Sequence, residues 1–263
     1  MIPIRDTRPS YRFSWVTVTL ISLNVLVFLF QLSLSTQPTL TLDITSWKEH
    51  GVIPLDSTRL AEPGISGVRI SPKRNYFFKY GAVPGEIASF TDFPPLVPFP
   101  ILLTLITSMF IHGGFFHLIG NMLFLWIFGD NVEDAMGPFR FALFYFLAGV
   151  AGASLQIVAN SGSGTPMIGA SGAIAGVMAA YLLLYPNSNI VTLIPIFFFF
   201  TFVQIPAVIM VGLWFLFELI RAAGNQVGNV ARLAHVGGFI AGLLLTPYLK
   251  SSFVRIKLWD YFR

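Results

Sequence analysis

Long apolar segments constrain this chain more strongly than any other feature of its sequence. An α-helix needs about 20 apolar residues to cross the hydrocarbon core of a bilayer. Six apolar segments approach or exceed that length, and they cover residues 13–34, 115–128, 139–159, 171–185, 190–220 and 233–249. Only 11% of the residues are charged, whereas a soluble domain carries roughly 25%. We therefore expect an all-α integral membrane protein, and we exclude a soluble globular enzyme and a disordered chain.

The fifth apolar segment contains two prolines, Pro195 and Pro206. Because proline lacks a backbone N–H and breaks helices, we interpret the first part of this segment as a broken stretch that approaches the membrane. We predict a helix from about Pro206 to Ile220, which gives six transmembrane helices in total. The phenylalanines at 197–200 are expected to face lipid.

The basic residues predict the orientation of the bundle. Three arginines lie within residues 1–12, before the first apolar segment, which places this end of the chain in the cytoplasm. Six spans return residues 250–263 to the same side, and residues 36–114 form a long outer loop between the first two helices. We expect one membrane domain over residues 1–263. The formal net charge of +4 is dispersed, so we expect no nucleic-acid partner, and the lack of cysteine excludes disulfides and thiol catalysis.

Four polar residues lie near the outer ends of three spans. With this topology the second, fourth and sixth spans all begin on the outer side, with His117 and Asn121, Ser171, and His235 near their starts. The fourth span is short, since residues 171–185 cover only about 22 Å as a helix. Its N-terminus is therefore expected below the outer surface, where free backbone N–H groups could bind an oxyanion in a water-filled cavity.

Glycines surround two of these polar residues and favour close helix packing. Ser171 lies between Gly169 and Gly172, with Gly176 one turn later, and His235 precedes Gly237 and Gly238. Close approach would bring Ser171 to His235 as a nucleophile and its general base. The alternatives are small-residue packing or an N-cap role for Ser171, and a structural hydrogen bond to a carbonyl for His235.

His117 and Asn121 are four residues apart and share one helix face, so both can direct hydrogen-bond donors at an oxyanion. The alternative for His117 is an interfacial histidine, and we interpret His112 as structural. No orienting carboxylate is evident, because Glu218 lies beside Arg221 and the other candidates lie at the inner end of the second span, at Asp130, Glu133 and Asp134. The sequence therefore predicts a Ser–His dyad.

Haem or metal ligation is a rival use of His117 and His235. No carboxylate or cysteine joins them, and the chain has no HExxH motif. This alternative would also leave a serine at a buried helix start without a role. We expect no metal and no cofactor.

Five motifs in order resemble the rhomboid intramembrane serine proteases of the six-helix prokaryotic type. They are Tyr80–Pro84, His112–Met122, Phe128–Asp134, Gly169–Gly172 and Ala234–Gly238, and the resemblance covers roughly residues 80–250. It implies that Ser171 is the nucleophile, that His235 is the general base, and that His117, Asn121 and the Ser171 N–H form the oxyanion hole. Ala175 departs from the family pattern, since members often carry an aromatic residue there that stacks on the base.

The resemblance also implies substrates and a location. Rhomboid proteases cleave transmembrane segments of other proteins near their outer ends, and substrates are thought to enter sideways past the fifth span and the loop at 222–232. We expect a multi-pass protein of a prokaryotic inner membrane, with membrane lipids and transmembrane proteins as partners and a site that opens outward. The alternatives are an inactive rhomboid-like protein that binds transmembrane segments, and a transporter or cofactor-binding bundle.

Overall fold

Helices dominate the computed structural model, which describes residues 2–43, 45, 67–196, 199–224 and 231–251. Nine α-helices lie within these ranges: α1 (Trp15–Ser33), α2 (Pro72–Tyr80), α3 (Pro84–Ser89), α4 (Thr104–Thr107), α5 (Phe115–Met136), α6 (Pro138–Ala159), α7 (Ser171–Leu184), α8 (Ala207–Ala223) and α9 (Arg232–Leu249). Short 3-10 turns occupy Leu34–Thr36, Ile101–Leu103 and Ser108–Phe110.

Four helices, α1, α5, α6 and α9, are long and apolar enough to cross a membrane. Two further helices occupy the remaining apolar segments but are shorter, α7 with 14 residues and α8 with 17. The helix predicted from about Pro206 begins at Ala207, directly after the proline.

The apolar stretch before α8 is a β-hairpin, which corrects the expectations of a broken approach segment and of an all-α fold. Strands β4 (Asn189–Ile196) and β5 (Phe199–Pro206) pair antiparallel. The stretch is rich in β-branched and aromatic residues, which favour a strand, and hydropathy alone does not separate a short buried strand from a helix. Phe200 is exposed, whereas Phe197 and Phe198 lie outside the described residues.

The N-terminal segment joins this hairpin and completes a three-stranded sheet. Strand β1 (Ile2–Asp6) pairs with β4, with Asp6 opposite Ile190. The Asp6 carboxylate accepts hydrogen bonds from Asn131 Nδ2 on α5 at 2.9 Å and from the Tyr181 hydroxyl on α7 at 2.7 Å. The first residues of the chain are therefore connected to one end of the bundle.

Glu133, on α5, caps the start of α1. Its two carboxylate oxygens accept hydrogen bonds from the backbone N–H groups of Val16 and Thr17 at 2.9 and 2.8 Å, and from the Thr17 hydroxyl. The first N–H groups of a helix have no partner within the helix, and a carboxylate there also interacts favourably with the helix dipole. This contact explains why an acidic residue lies in an otherwise apolar span.

Glycines let α6, α7 and α9 approach each other backbone to backbone. A Cβ atom at Gly238 would overlap the carbonyl of Gly172, and one at Gly242 would overlap the backbone of Gly176. On the other side, a Cβ at Gly237 would lie 3.1 Å from the Cα atom of Gly152 on α6. This packing places the start of α7 next to the first turns of α9.

The loop between α1 and α5 holds the irregular segment between α6 and α7. Ala82 and Met167 exchange two backbone hydrogen bonds, of 3.0 and 2.8 Å, and the hydroxyl of Thr107 donates to the carbonyl of Tyr80 at 2.6 Å. Strands β2 (Leu40–Asp43) and β3 (Gly67–Ile70) form a second antiparallel pair in this loop. The loop thus fixes the backbone that leads into α7.

Replacement of Gly242 by alanine is expected to destabilise the protein, because the added methyl group must separate α9 from α7. Overpacking of this kind costs about 1–3 kcal/mol. Gly212→Ala is the matched control: it also adds a methyl inside a helix, but no atom outside its chain neighbours and its own helix backbone lies within 4 Å of the added methyl. Its unfolding free energy should hold or rise. Unfolding in mixed detergent micelles measures both, and equal stability of the two variants would contradict the packing.

Glu86, on α3 in the loop between α1 and α5, is expected to make stability depend on pH. Burial raises the pKa of Glu86 from 4.5 to about 8. The folded protein then keeps a proton that the unfolded chain releases at lower pH, so the unfolding free energy should fall as pH rises between these two values. Glu86→Gln removes the titration and should flatten this dependence. Thermal unfolding between pH 5 and 8 tests it, and parallel curves for the two proteins would refute it.

Candidate active site

Ser171 is the first residue of α7, and its side chain points at a histidine of the neighbouring helix. The N-cap position is occupied by Ala170, so the N-cap alternative for Ser171 is wrong. The Oγ atom of Ser171 lies 2.7 Å from Nε2 of His235 on α9. The sequence-predicted pair is therefore within hydrogen-bond distance.

Gly169 shapes the turn that leads into α7. Its φ angle of +119° is one that side chains disfavour, and a Cβ atom there would lie 2.8 Å from Cε1 and Nε2 of His117. Its N–H donates to the Ser108 carbonyl at 2.9 Å. The glycine thus lets the His117 ring lie against the backbone just before Ser171.

Glu218, on α8, contacts the other nitrogen of His235, which the sequence interpretation missed. Its Oε2 atom lies 2.7 Å from Nδ1 of the histidine, and Arg221, the expected partner, is farther away at 3.9 Å and mostly exposed. The contact was not predicted because Arg221, a neighbour in sequence, was taken as the partner of Glu218. The helix face on which the carboxylate lies was not considered. A single acidic residue within an apolar span was the available signal, since such residues are costly in lipid and usually have a specific partner.

Trp214 lies four residues before Glu218 and shares its helix face. The Trp214 ring is tilted by 35° against the His235 ring, with 6.0 Å between the two centroids. With Ala175 in place of the aromatic residue common in rhomboids, Trp214 and Glu218 are the groups that contact the imidazole from α8.

The contacts define the tautomer of His235. A carboxylate only accepts hydrogen bonds, so Nδ1 carries the proton and donates to Glu218. Nε2 is then unprotonated and accepts from the Ser171 hydroxyl. This is the protonation state in which an imidazole can remove a proton from a serine.

His117 and Asn121 lie on α5, next to His112. The amide Nδ2 of Asn121 can only donate, so it donates to Nε2 of His112 at 2.9 Å and retains a second N–H. The Gly113 N–H donates to Nδ1 of His117 at 3.5 Å, which leaves Nε2 of His117 as the protonated nitrogen. His112 is fully buried, and its ring orients the Asn121 amide.

Gln31, on α1, holds the backbone of His112. Its amide donates to the His112 carbonyl at 2.9 Å and accepts from the His112 N–H at 3.1 Å. Both residues are fully buried. The first helix therefore positions the segment that carries the predicted oxyanion donors.

A cavity of about 1430 Å³ is lined by Ser171, His235, His117, Asn121, Gly169 and Trp214, together with parts of the loop between α1 and α5. Within the described residues, no three histidine or acidic side chains form a group that could hold a metal ion. A hydroxyl, an imidazole that contacts a carboxylate, and hydrogen-bond donors therefore lie close together, and these are the groups that nucleophilic catalysis uses.

Comparison with known proteins identifies the family. A family model described as "Rhomboid domain" matches residues 101–252, so the chain belongs to the rhomboid family, a family of intramembrane proteases. Together with its apolar helices, this makes it a multi-pass integral membrane protein.

Several curated rhomboids are similar to the chain. "Rhomboid protein 1, mitochondrial" of Saccharomyces cerevisiae is 31% identical over 57% of this chain and 42% of its own length. "Rhomboid protease GluP" of Bacillus subtilis is 34% identical over 55% of this chain and 25% of its own length. "RHOMBOID-like protein 6, mitochondrial" of Arabidopsis thaliana is 28% identical over 88% and 67%. The chain thus spans less than half the length of several relatives. Because some are mitochondrial, the likeness does not support a prokaryotic plasma membrane in particular.

Gln31→Met is expected to destabilise the protein, because it leaves the buried N–H and carbonyl of His112 without partners. Each unsatisfied group costs about 1–3 kcal/mol. Asn24→Leu is the matched control, since Asn24 is a buried amide of the same helix that donates to the Leu20 carbonyl within α1. Unfolding in mixed micelles should show the larger loss for Gln31→Met, and the reverse order would contradict this role.

Proposed function

We propose that this protein is an intramembrane serine endopeptidase that cleaves transmembrane segments of other membrane proteins. Ser171 is the nucleophile and His235 its general base. The observation that carries the proposal is the 2.7 Å distance between Ser171 Oγ and His235 Nε2 in a cavity within a helical membrane bundle. Membership of the rhomboid family supports the same chemistry.

The reaction begins when Ser171 Oγ attacks the carbonyl carbon of the scissile peptide bond. Nε2 of His235 takes the hydroxyl proton, and the carbonyl oxygen becomes an oxyanion. The C–N bond then breaks as the imidazolium returns this proton to the leaving amine. A water molecule, activated by the same nitrogen, hydrolyses the acyl-enzyme and frees Ser171.

Three donors are proposed to stabilise the oxyanion. They are the second N–H of Asn121 Nδ2, Nε2–H of His117, and the backbone N–H of Ser171 at the start of α7, where helix N–H groups have no partners within the helix. In soluble proteases one such donor contributes about 2.7–4 kcal/mol to the transition state. His112 fixes the Asn121 amide so that one of its N–H groups remains available.

We propose that α7 and α8 complete a six-span bundle within a single membrane domain over residues 1–263. An even number of spans places both ends on the same side, and the three arginines within residues 1–12 favour the cytoplasm. The starts of α5, α7 and α9 then lie on the outer side. The cavity then opens outward. The shortness of α7, with 14 residues, supports this arrangement, because it leaves Ser171 below the surface where water must reach it.

A fluorophosphonate probe tests the proposed nucleophile. The detergent-purified protein should be labelled covalently, and Ser171→Ala and His235→Ala should abolish labelling, because the probe reacts with a serine that a base activates. Ser161→Ala, at an exposed serine in the preceding loop, should keep full labelling. Cleavage of a model transmembrane substrate should follow the same pattern. An unlabelled wild type, or labelling that survives Ser171→Ala, would reject the proposal.

A further inference from the structure

Glu218 is a buried carboxylate on a helix whose surface is otherwise mostly apolar and exposed. Only three residues of α8 are buried, Ala207, Val211 and Glu218. A carboxylate in this setting loses hydration and must be compensated by a specific partner. Its nearest partner is Nδ1 of His235 at 2.7 Å, and its second oxygen lies 3.9 Å from Arg221.

We propose that Glu218 is a positioning residue that, with Ser171 and His235, forms a serine–histidine–carboxylate relay. This inference rests on the proposed function. Glu218 accepts the Nδ1 proton of His235 and so holds Nε2 as the acceptor for the Ser171 hydroxyl. When Nε2 takes the proton during attack, the imidazolium faces a carboxylate, which lowers the energy of the charged state. Glu218 does not take a proton and does not touch the substrate.

The same contact makes the orientation of the base depend on α8. The bonds of His235 connect three helices: Ser171 belongs to α7, His235 to α9, and Glu218 to α8. Phe215 of α8 also stacks on Phe239 of α9, with ring centroids 3.9 Å apart. If α8 moves away from α9, His235 loses its carboxylate and its two tautomers become closer in energy. The tautomer with an unprotonated Nε2 is therefore strongly favoured only while α8 is packed against α9.

Several charged or titratable groups surround His235. Glu218 contacts it from α8, with Arg221 on the far side of the carboxylate. Arg232 lies in the first turn of α9 and also interacts with Glu218. His117 faces it from α5, and Ser171 from α7. Only Glu218 is both negatively charged and in direct contact with the ring.

Glu218→Gln and Glu218→Ala test the relay by kinetics on a transmembrane substrate. Loss of one charge-assisted hydrogen bond is expected to lower kcat about 10- to 100-fold at constant KM. Arg221→Gln is the matched control and should stay within about twofold of wild type, as expected for an exposed ion pair.

An assay without turnover tests the same contact independently. With ¹⁵N-labelled histidine, the wild type should show His235 in the Nδ1–H tautomer, and Glu218→Ala should show a mixture. The chain has only four histidines, so the spectrum of His235→Asn assigns the signal. Glu218→Gln is nearly isosteric with the wild type. Equal helicity and equal unfolding temperature of the two proteins show that any change in the tautomer is not due to misfolding.

The outcomes separate the two proposals. A wild type that the fluorophosphonate does not label rejects the protease, while the tautomer measurement still decides whether Glu218 orients His235. If the wild type is labelled but Glu218→Gln keeps its kcat, the relay is wrong. It is also wrong if Arg221→Gln reproduces the loss, because Glu218 would then act through the arginine.

Discussion

The site depends on the direct backbone packing of α7 against α9. Gly172 and Gly176 on one helix meet Gly238 and Gly242 on the other, so closely that no side chain fits between them. In lipid, helix association cannot draw on burial of apolar surface away from water, and small residues that permit close packing take that role. This close approach lets the side chains of Ser171 and His235 meet, with 2.7 Å between Oγ and Nε2. The glycines and the polar pair are therefore one feature, because the small-residue packing that appeared as an alternative for Ser171 is what brings it to His235.

The polar contacts described above fall into two groups at opposite ends of the bundle. At one end, Asp6, Asn131, Tyr181 and Glu133 tie the N-terminal strand and the start of α1 to α5 and α7. At the other end, the groups around Ser171 leave donors and acceptors directed into a cavity. The two groups differ in whether hydrogen-bond donors remain available. The first set consumes its hydrogen bonds in holding elements together, whereas Asn121 keeps an N–H after its bond to His112.

Hydropathy and helix-breaking residues predicted most of the helix positions, because both act locally and can be read along the chain. Ser171, His117, Asn121 and His235 also followed from the sequence, since span parity alone places them at one depth. The hairpin of β4 and β5 was not predicted from the sequence. Strand β1, which pairs with β4, is far away along the chain, and the apolar composition of the hairpin also fits a helix. Glu218 did not follow either: Arg221 was nearer in sequence, while the rotation of α8 about its axis, which only packing determines, directs the carboxylate at His235.

Helix α8 is held to the site in a different way from the glycine-packed helices. Its links to α9 are made by side chains: the stack of Phe215 on Phe239, Trp214 beside His235, and the Glu218 hydrogen bond. Such contacts can break and reform as one helix shifts in lipid, whereas α7 and α9 cannot separate without losing their backbone packing. In the proposed relay, any displacement of α8 that widens access to Ser171 also removes the carboxylate from the base. An open path to Ser171 and a correctly oriented His235 then do not occur together. Efficient proton transfer to His235 therefore requires α8 to pack against α9 again after the substrate segment has bound.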